Sequence, residues 1–199
     1  MSKIIVIYGS PIEENLSIST MLTKRYVEEY KKAHPMDEIQ ELNLNDLDMS
    51  TNLLTSKNKV NFFNEKDSDF YIELLKKADK VIMNSPMINF NVPATIKTFF
   101  DRIAVANKTF SYKYAKKGAA IGLLDNLKIQ IIATQGAPLG WYPWASHINY
   151  LEGIWKFLGA EVSETIILAG VKANPLKNYT MEELLESKLS EIIEKASNF

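Results

Sequence analysis

The chain has 199 residues, 46% of them hydrophobic and 24% charged, with a formal net charge of -1 and no cysteine. That length suits one domain burying a core between two helical layers, and the near-neutral balance offers no basic stripe to a phosphate backbone, so nucleic acid is not an expected partner. Without cysteine there is no disulfide, zinc-thiolate site, iron-sulfur cluster or thiol nucleophile, so any redox chemistry has to come from a bound group.

The sequence opens on a strand pattern rather than a basic-then-apolar leader, and no apolar run approaches the length of a membrane-spanning helix. A cytoplasmic location is the expectation. Ile4-Ile5-Val6-Ile7 is a continuous apolar run, as in a strand buried on both faces, and it ends in Tyr8-Gly9-Ser10-Pro11. From Ser17 onward, Ile18, Met21, Leu22, Tyr26 and Val27 recur at helical spacing until His34-Pro35 stops the pattern. Residues 38 to 43 read as a short strand. The polar stretch 50 to 59 reads as a mobile loop, with a substrate lid as the alternative. Phe70, Ile72, Leu74, Leu75 and Ala78 mark a second helix, and Val81-Ile82-Met83-Asn84 a third strand. A turn over 85 to 91 follows, then a helix from near Pro93 to about Ala104. Within 108 to 124, Thr109-Phe110-Ser111-Tyr112 looks like a local strand or hairpin. A fourth strand, Ile129 to Ala133, runs into Thr134-Gln135-Gly136-Ala137. The next helix spans about Ser146 to Leu158 with Gly159 at its end, Ile166-Ile167-Leu168 is a fifth strand, and Thr180 with Glu183 in capping-box spacing opens the last helix.

Alternating strands and helices imply a single α/β domain over residues 1-199: a doubly wound, five-stranded parallel sheet in three α/β/α layers with flavodoxin-like strand order. In that order the chain reverses direction between the first and third strands, and ligands bind outside the carboxyl ends there. The loops after strands one, three and four are therefore the informative ones.

The first loop, Gly9 to Ser19, places hydroxyls where a helix begins, and free N-H groups with the helix dipole make that end an anion site. It holds no lysine or arginine, which excludes an ATP-type P-loop and leaves a phosphomonoester held by N-H and hydroxyl groups. The plainer alternative is that Asn15 or Ser17 only caps the helix. The second loop, Ser85 to Pro93, puts apolar side chains and irregular backbone at one sheet edge, the combination that covers a flat ring and addresses its polar rim. Its alternative is a helix-leading loop in which Phe90 plugs the core and Asn91 caps. In the third, Gly136 lets backbone approach a ligand, or merely turns.

The hydroxyl-rich first loop ending in Ser17-Ile18-Ser19, the Pro86-Met87-Ile88-Asn89-Phe90 segment, and the stretch Lys97, Phe100-Asp101, Thr109-Phe110, Tyr112 resemble the FMN-dependent NADH-azoreductases, relatives of the flavodoxin-like quinone reductases. The resemblance runs nearly end to end. It implies non-covalent FMN, a homodimer, and reduction of quinones and azo compounds by a nicotinamide nucleotide; because Arg25 and Arg102 lie outside the three loops, no guanidinium site for a 2′-phosphate is evident and NADH is the expectation over NADPH. By position, Ser10, Ser17, Ile18 and Ser19 fall on the phosphate side and Met87, Ile88, Asn89 and Phe90 on the ring, with Pro86 a further cofactor-binding position. Thr134, Gln135, Gly136 and Ala137 fall on its pyrimidine edge. The sequence departs from the family where tyrosine is common at the position of Ile88, and where a serine-arginine-glycine-glycine run is common at 134 to 137.

Of the two histidines, His34 reads as a solvated cation at a helix end. His147 is a weak catalytic candidate near the ring edge, set against a helix-start histidine packed on aromatics. Trp141-Tyr142-Pro143-Trp144 forms a stacking wall, a dimer contact or a core plug. The competing functions are a flavodoxin-type electron carrier, which is shorter and more acidic, and a receiver-type signalling domain. The latter needs a carboxylate cluster for Mg²⁺ that Tyr8-Gly9-Ser10 and Asn84-Ser85 do not supply.

Overall fold

The computed structural model describes residues 1-113 and 119-199. Its elements run β1 Lys3–Tyr8, α1 Ile18–Ala33, β2 Glu38–Asn43, α2 Phe70–Lys77, β3 Lys80–Pro86, α3 Ala94–Ile103, β4 Phe110–Ser111, β5 Ile121–Gly122, β6 Lys128–Gln135, α4 His147–Phe157, β7 Glu161–Val162, β8 Ile166–Ala169 and α5 Met181–Asn198. The main sheet is parallel in the order β2-β1-β3-β6, with β7 and β8 both against the far side of β6. This is the doubly wound flavodoxin order.

Alternation along the buried strands divides the core into two layers. Ile4 and Val6 of β1, with Ile82 and Ile132, face Leu22, Tyr26 and Tyr30 of α1 and Leu184 and Ile192 of α5. Ile5 and Ile7, with Val81, Met83 and Ile131, face α2, α3 and α4 through Ile72, Phe99, Phe100 and Trp155. Local chemistry agrees with the packing. Ser17 caps α1 by accepting the Thr20 N-H at 3.3 Å. Thr180 and Glu183 close a reciprocal capping box on α5, at 2.7 and 3.2 Å. Gly159 ends α4 at φ 103°, a left-handed conformation that favours glycine. It passes so close to β5 that a Cβ on Gly122 would lie 2.1 Å from the Gly159 nitrogen.

The fifth sheet position is divided rather than continuous. β7 pairs with Lys128 and Ile129, β8 pairs with residues 132 to 135, and the chain between them arches past Gln130. The buried Gln130 amide fills that gap by donating to Glu164 O at 3.1 Å. Within 108 to 124 the expected local strand is β4, paired antiparallel with β5; residues 114 to 118 of that stretch lie outside the described ones.

The polar segment 50 to 59 is in contact with α3. Arg102 of α3, fully buried, donates Nη2 to Asn52 O at 2.8 Å and Nη1 to Phe62 O, and its guanidinium lies 3.6 Å from the Phe62 ring centroid. Within the segment, Asn58 bonds Asn52, Leu53 and Thr55. His34 differs from expectation: it stacks on Tyr30, ring centroids 4.5 Å apart, rather than standing free in solvent.

Candidate functional site

The register Ile7↔Met83 and Pro86↔Thr134 brings the carboxyl ends of β1, β3 and β6 side by side, so the three loops singled out in the sequence meet at one edge. Crosslinks hold them there. Gly9 N-H donates to Asn84 Oδ1 at 2.7 Å, and Asn84 Nδ2 donates onward to Thr20 Oγ1 at 3.2 Å, stapling the first loop and α1 to β3. Asn45 Nδ2 holds Ser10 O at 2.8 Å from the far side. A Cβ on Gly9 would lie 2.3 Å from the Ile96 side chain, which would have to shift to admit any larger residue at this approach of loop to α3.

The first loop gathers three nearly fully buried hydroxyls. Ser17 Oγ donates to Ser10 Oγ at 2.8 Å and lies 3.3 Å from Ser19 Oγ. Ser17 is thus both a cap and a member of a cluster, and Asn15, in a short 3₁₀ turn, caps nothing. Ile18 and Ser19 occupy the first turn of a 16-residue helix, where α-helical geometry supplies no backbone acceptor to their N-H groups. The donor set is therefore neutral hydroxyls and N-H groups under a helix dipole, which fits a phosphomonoester without a cation. A cavity of about 650 Å³ flanks this loop on the β2 side. Its carboxylates, Glu13, Glu14, Glu41 and Asp46, face one cation among the described residues, Lys24, which pairs with Glu14. That excess of carboxylates is unfavourable to an anion, in contrast to the neutral donors at the helix start.

In the second loop, Pro86 ends β3 and Met87 N-H donates to Thr134 O at 2.7 Å, joining this loop to the third. Ile88 and Asn91 exchange backbone hydrogen bonds of 2.8 and 3.1 Å around Asn89 at φ 45° and Phe90 at φ 71°. Two consecutive left-handed residues make a primed turn. Phenylalanine in that region is strained by about 1-3 kcal/mol, a kind of strain that collects at binding sites. Phe90 is 42% exposed and plugs no core. It meets Tyr142 and Trp144 instead. Asn91 Oδ1 accepts the Val92 N-H, and Pro93 holds the cap position of α3.

The third loop folds on itself. Gln135 Nε2 donates to Ala137 O at 2.9 Å, and Gly170 and Lys172 N-H groups hold Ala137 O and Gly136 O. The Gln135 side chain is thereby spent on its own loop, and the carbonyls of residues 134 to 137 all accept N-H groups from within the protein. A cavity of about 180 Å³, bounded by Met87, Gln135, Pro138, Tyr142, Pro143 and Ile148, opens where this loop meets the second.

His147 starts α4 fully buried, and neither ring nitrogen makes a hydrogen bond of good geometry. Burial pulls its pKa down to about 4, and the neighbouring Ser85 backbone only partly opposes that shift. Among the described residues no aromatic ring pairs with it, and its burial is that of a packed side chain. Sequence reasoning passed over Asn84, Thr20 and Asn45, the residues that lock the loops. The one available signal was an asparagine closing the apolar run of β3.

A doubly wound parallel sheet with a hydroxyl-lined helix start at its switch point defines a flavodoxin-type mononucleotide-site protein. The flavodoxin-like fold family matches residues 2–192, and the chain belongs to it. Among relatives, it is 50% identical over its whole length, and theirs, to "FMN-dependent NADH:quinone oxidoreductase 1" of Mesoplasma florum. It is 53% identical over the same full span to an FMN-dependent NADH:quinone oxidoreductase of Metamycoplasma arthritidis. Solved structures of the same fold include an azoreductase from Bacillus anthracis (TM-score 0.84, 24% identity, all of both chains covered). Another is an FMN-dependent NADH-azoreductase from the same species in complex with FMN (TM-score 0.79, 24% identity, 98% of both chains covered).

Proposed function

We propose that the chain is an FMN-dependent oxidoreductase that takes two electrons from NADH and passes them to a quinone or an azo compound. The observation that carries this reading is the meeting, at one switch point, of a cation-free hydroxyl cluster, a strained ring-covering turn and a backbone-lined loop. Full-length relatives named FMN-dependent NADH:quinone oxidoreductase support it. FMN, when bound, supplies the hydride chemistry. Ser10, Ser17 and Ser19, with the N-H groups of Ile18 and Ser19, hold its phosphate. Pro86 to Phe90 cover its ring with apolar side chains, and the backbone of Thr134 to Ala137 orients its pyrimidine edge. His147 is neutral at pH 7 and acts as packing behind Ser85 rather than as a proton donor.

The whole site sits in one domain, since both core layers share a single sheet. We place it in the cytoplasm; no described helix is long and apolar enough to cross a membrane. A homodimer is supported by the exposed Leu53, Leu54, Val60 and Phe63, apolar side chains held outward on the segment that Arg102 anchors. Absorbance spectra before and after NADH addition test the reading. The purified protein, reconstituted with FMN, is expected to be yellow and to bleach with NADH. Persistent colour points to an electron carrier, and recovery of FAD or of no flavin overturns the assignment.

A further inference from the structure

Phe90, Tyr142 and Trp144 form a closed triad of rings, with centroids 5.1, 4.8 and 6.2 Å apart. All three are substantially exposed, Trp144 at 71%, and Trp141 and Leu139 beside them are more than half exposed. A contiguous aromatic patch in water marks a binding surface. Its position is specific. Phe90 belongs to the strained turn of the second loop, whereas Tyr142 lines the cavity between Met87 and Gln135. The triad is therefore continuous with the loops at the ring end of the site.

We propose that Tyr142 and Trp144 are specificity-determining residues. With Phe90 they form a wall on which flat, fused-ring acceptors stack, so the protein takes two-ring quinones in preference to one-ring quinones. This rests on the oxidoreductase reading above. Two arguments favour a small acceptor over a second copy of the chain. The patch comprises one loop and one turn residue, whereas a stable protein interface engages roughly 20-30 residues a side. The rings also stand edge-to-face and tilted against one another, which leaves π faces for a flat molecule to meet.

Tyr142→Ala, Trp144→Ala and the conservative Trp144→Phe decide the matter. Stacking on one aromatic ring is worth about tenfold in affinity or more. The ratio of kcat/KM for a two-ring quinone to that for a one-ring quinone is therefore expected to fall about tenfold in each alanine variant and to recover in Trp144→Phe. Calorimetric titration of the two-ring quinone into the purified protein, without NADH, is expected to show the same loss of affinity. An unchanged ratio and unchanged quinone affinity overturn the proposal, as does a change of sedimentation from dimer to monomer in the alanine variants, which would make the wall an interface between copies. Failure of NADH to reduce bound flavin in the native protein refutes the oxidoreductase reading instead, and the calorimetry then decides the wall by itself.

Discussion

Ser17 serves the fold and the site with one oxygen, accepting the Thr20 N-H while donating to Ser10, and the two roles differ in size. A lost helix cap costs about 1 kcal/mol, whereas each hydroxyl bond to a charged group is worth about 1.5-3 kcal/mol. Replacing Ser17 and Ser19 together by alanine is expected to weaken FMN binding by about 100-fold or more while lowering apoprotein stability by only about 1 kcal/mol. Flavin titration set against the urea midpoint separates the two, and an unchanged flavin affinity would reduce these serines to caps. His147 makes a different claim. Its folded pKa of about 4 lies below the ordinary histidine value of 6.5, so the unfolded chain binds the extra proton first. Its contribution to stability is complete above pH 6.5 and is lost as pH falls toward 4. At about 1.36 kcal/mol per pH unit, roughly 2 kcal/mol disappears between pH 7 and pH 5. In urea titrations at those two pH values, His147→Phe should flatten this dependence; an equal loss in the variant would assign it to other groups. The hydroxyls and the Met87 to Phe90 segment were legible because their residue types are unusual at a strand end. Asn84 and Asn45 were not, since a side chain that reaches 75 or 35 positions along the chain leaves no local pattern.

At the level of elements, the long regular pieces were legible and the irregular ones were not. Helices and central strands announce themselves by period and by caps such as Thr180 with Glu183. The split fifth strand depends on Gln130 filling a register gap, and the two-residue strands β4, β5 and β7 are too short to carry a period. The polar segment from 50 to 59 shows why composition alone says little of a loop's contacts: Arg102, 50 residues along the chain, donates to its Asn52 carbonyl and also to that of Phe62 just beyond it. Arg102 satisfies two backbone carbonyls, stacks on Phe62 and lies 3.3 Å from Asp67. Arg102→Met keeps the bulk and removes every one of those polar contacts. Breaking a buried ionic contact of this kind costs about 3-5 kcal/mol. A loss toward the lower end of that range is expected, because Asp67 remains partly solvated. Limited proteolysis should then cut within 51 to 64 before the rest of the molecule. A variant with the native urea midpoint and no new cleavage would place the anchor elsewhere.

For the molecule as a whole, the topology dictates how many reactants the site can hold. A doubly wound sheet presents one crevice at its switch point, and here β1, β3 and β6 deliver all three loops to it. The cavity between the second and third loops, about 180 Å³, falls below the roughly 300 Å³ at which small-molecule sites usually begin. A cofactor ring held there would take the enclosed space and would leave one open face for whatever reacts with it. The family resemblance implies that nicotinamide and acceptor use that same face. Two flat molecules cannot stack on one face together, so NADH must deliver its hydride and NAD⁺ must leave before a quinone arrives. The expected mechanism is ping-pong, with each substrate inhibiting when it occupies the site in the wrong redox state. Stopped-flow mixing should show flavin reduction by NADH with no acceptor present, followed by reoxidation by quinone once NAD⁺ has been removed. Steady-state rates at several fixed quinone concentrations should give parallel double-reciprocal lines. Intersecting lines, or reduction that waits for bound quinone, would require both substrates on the protein at once and would refute a single shared face.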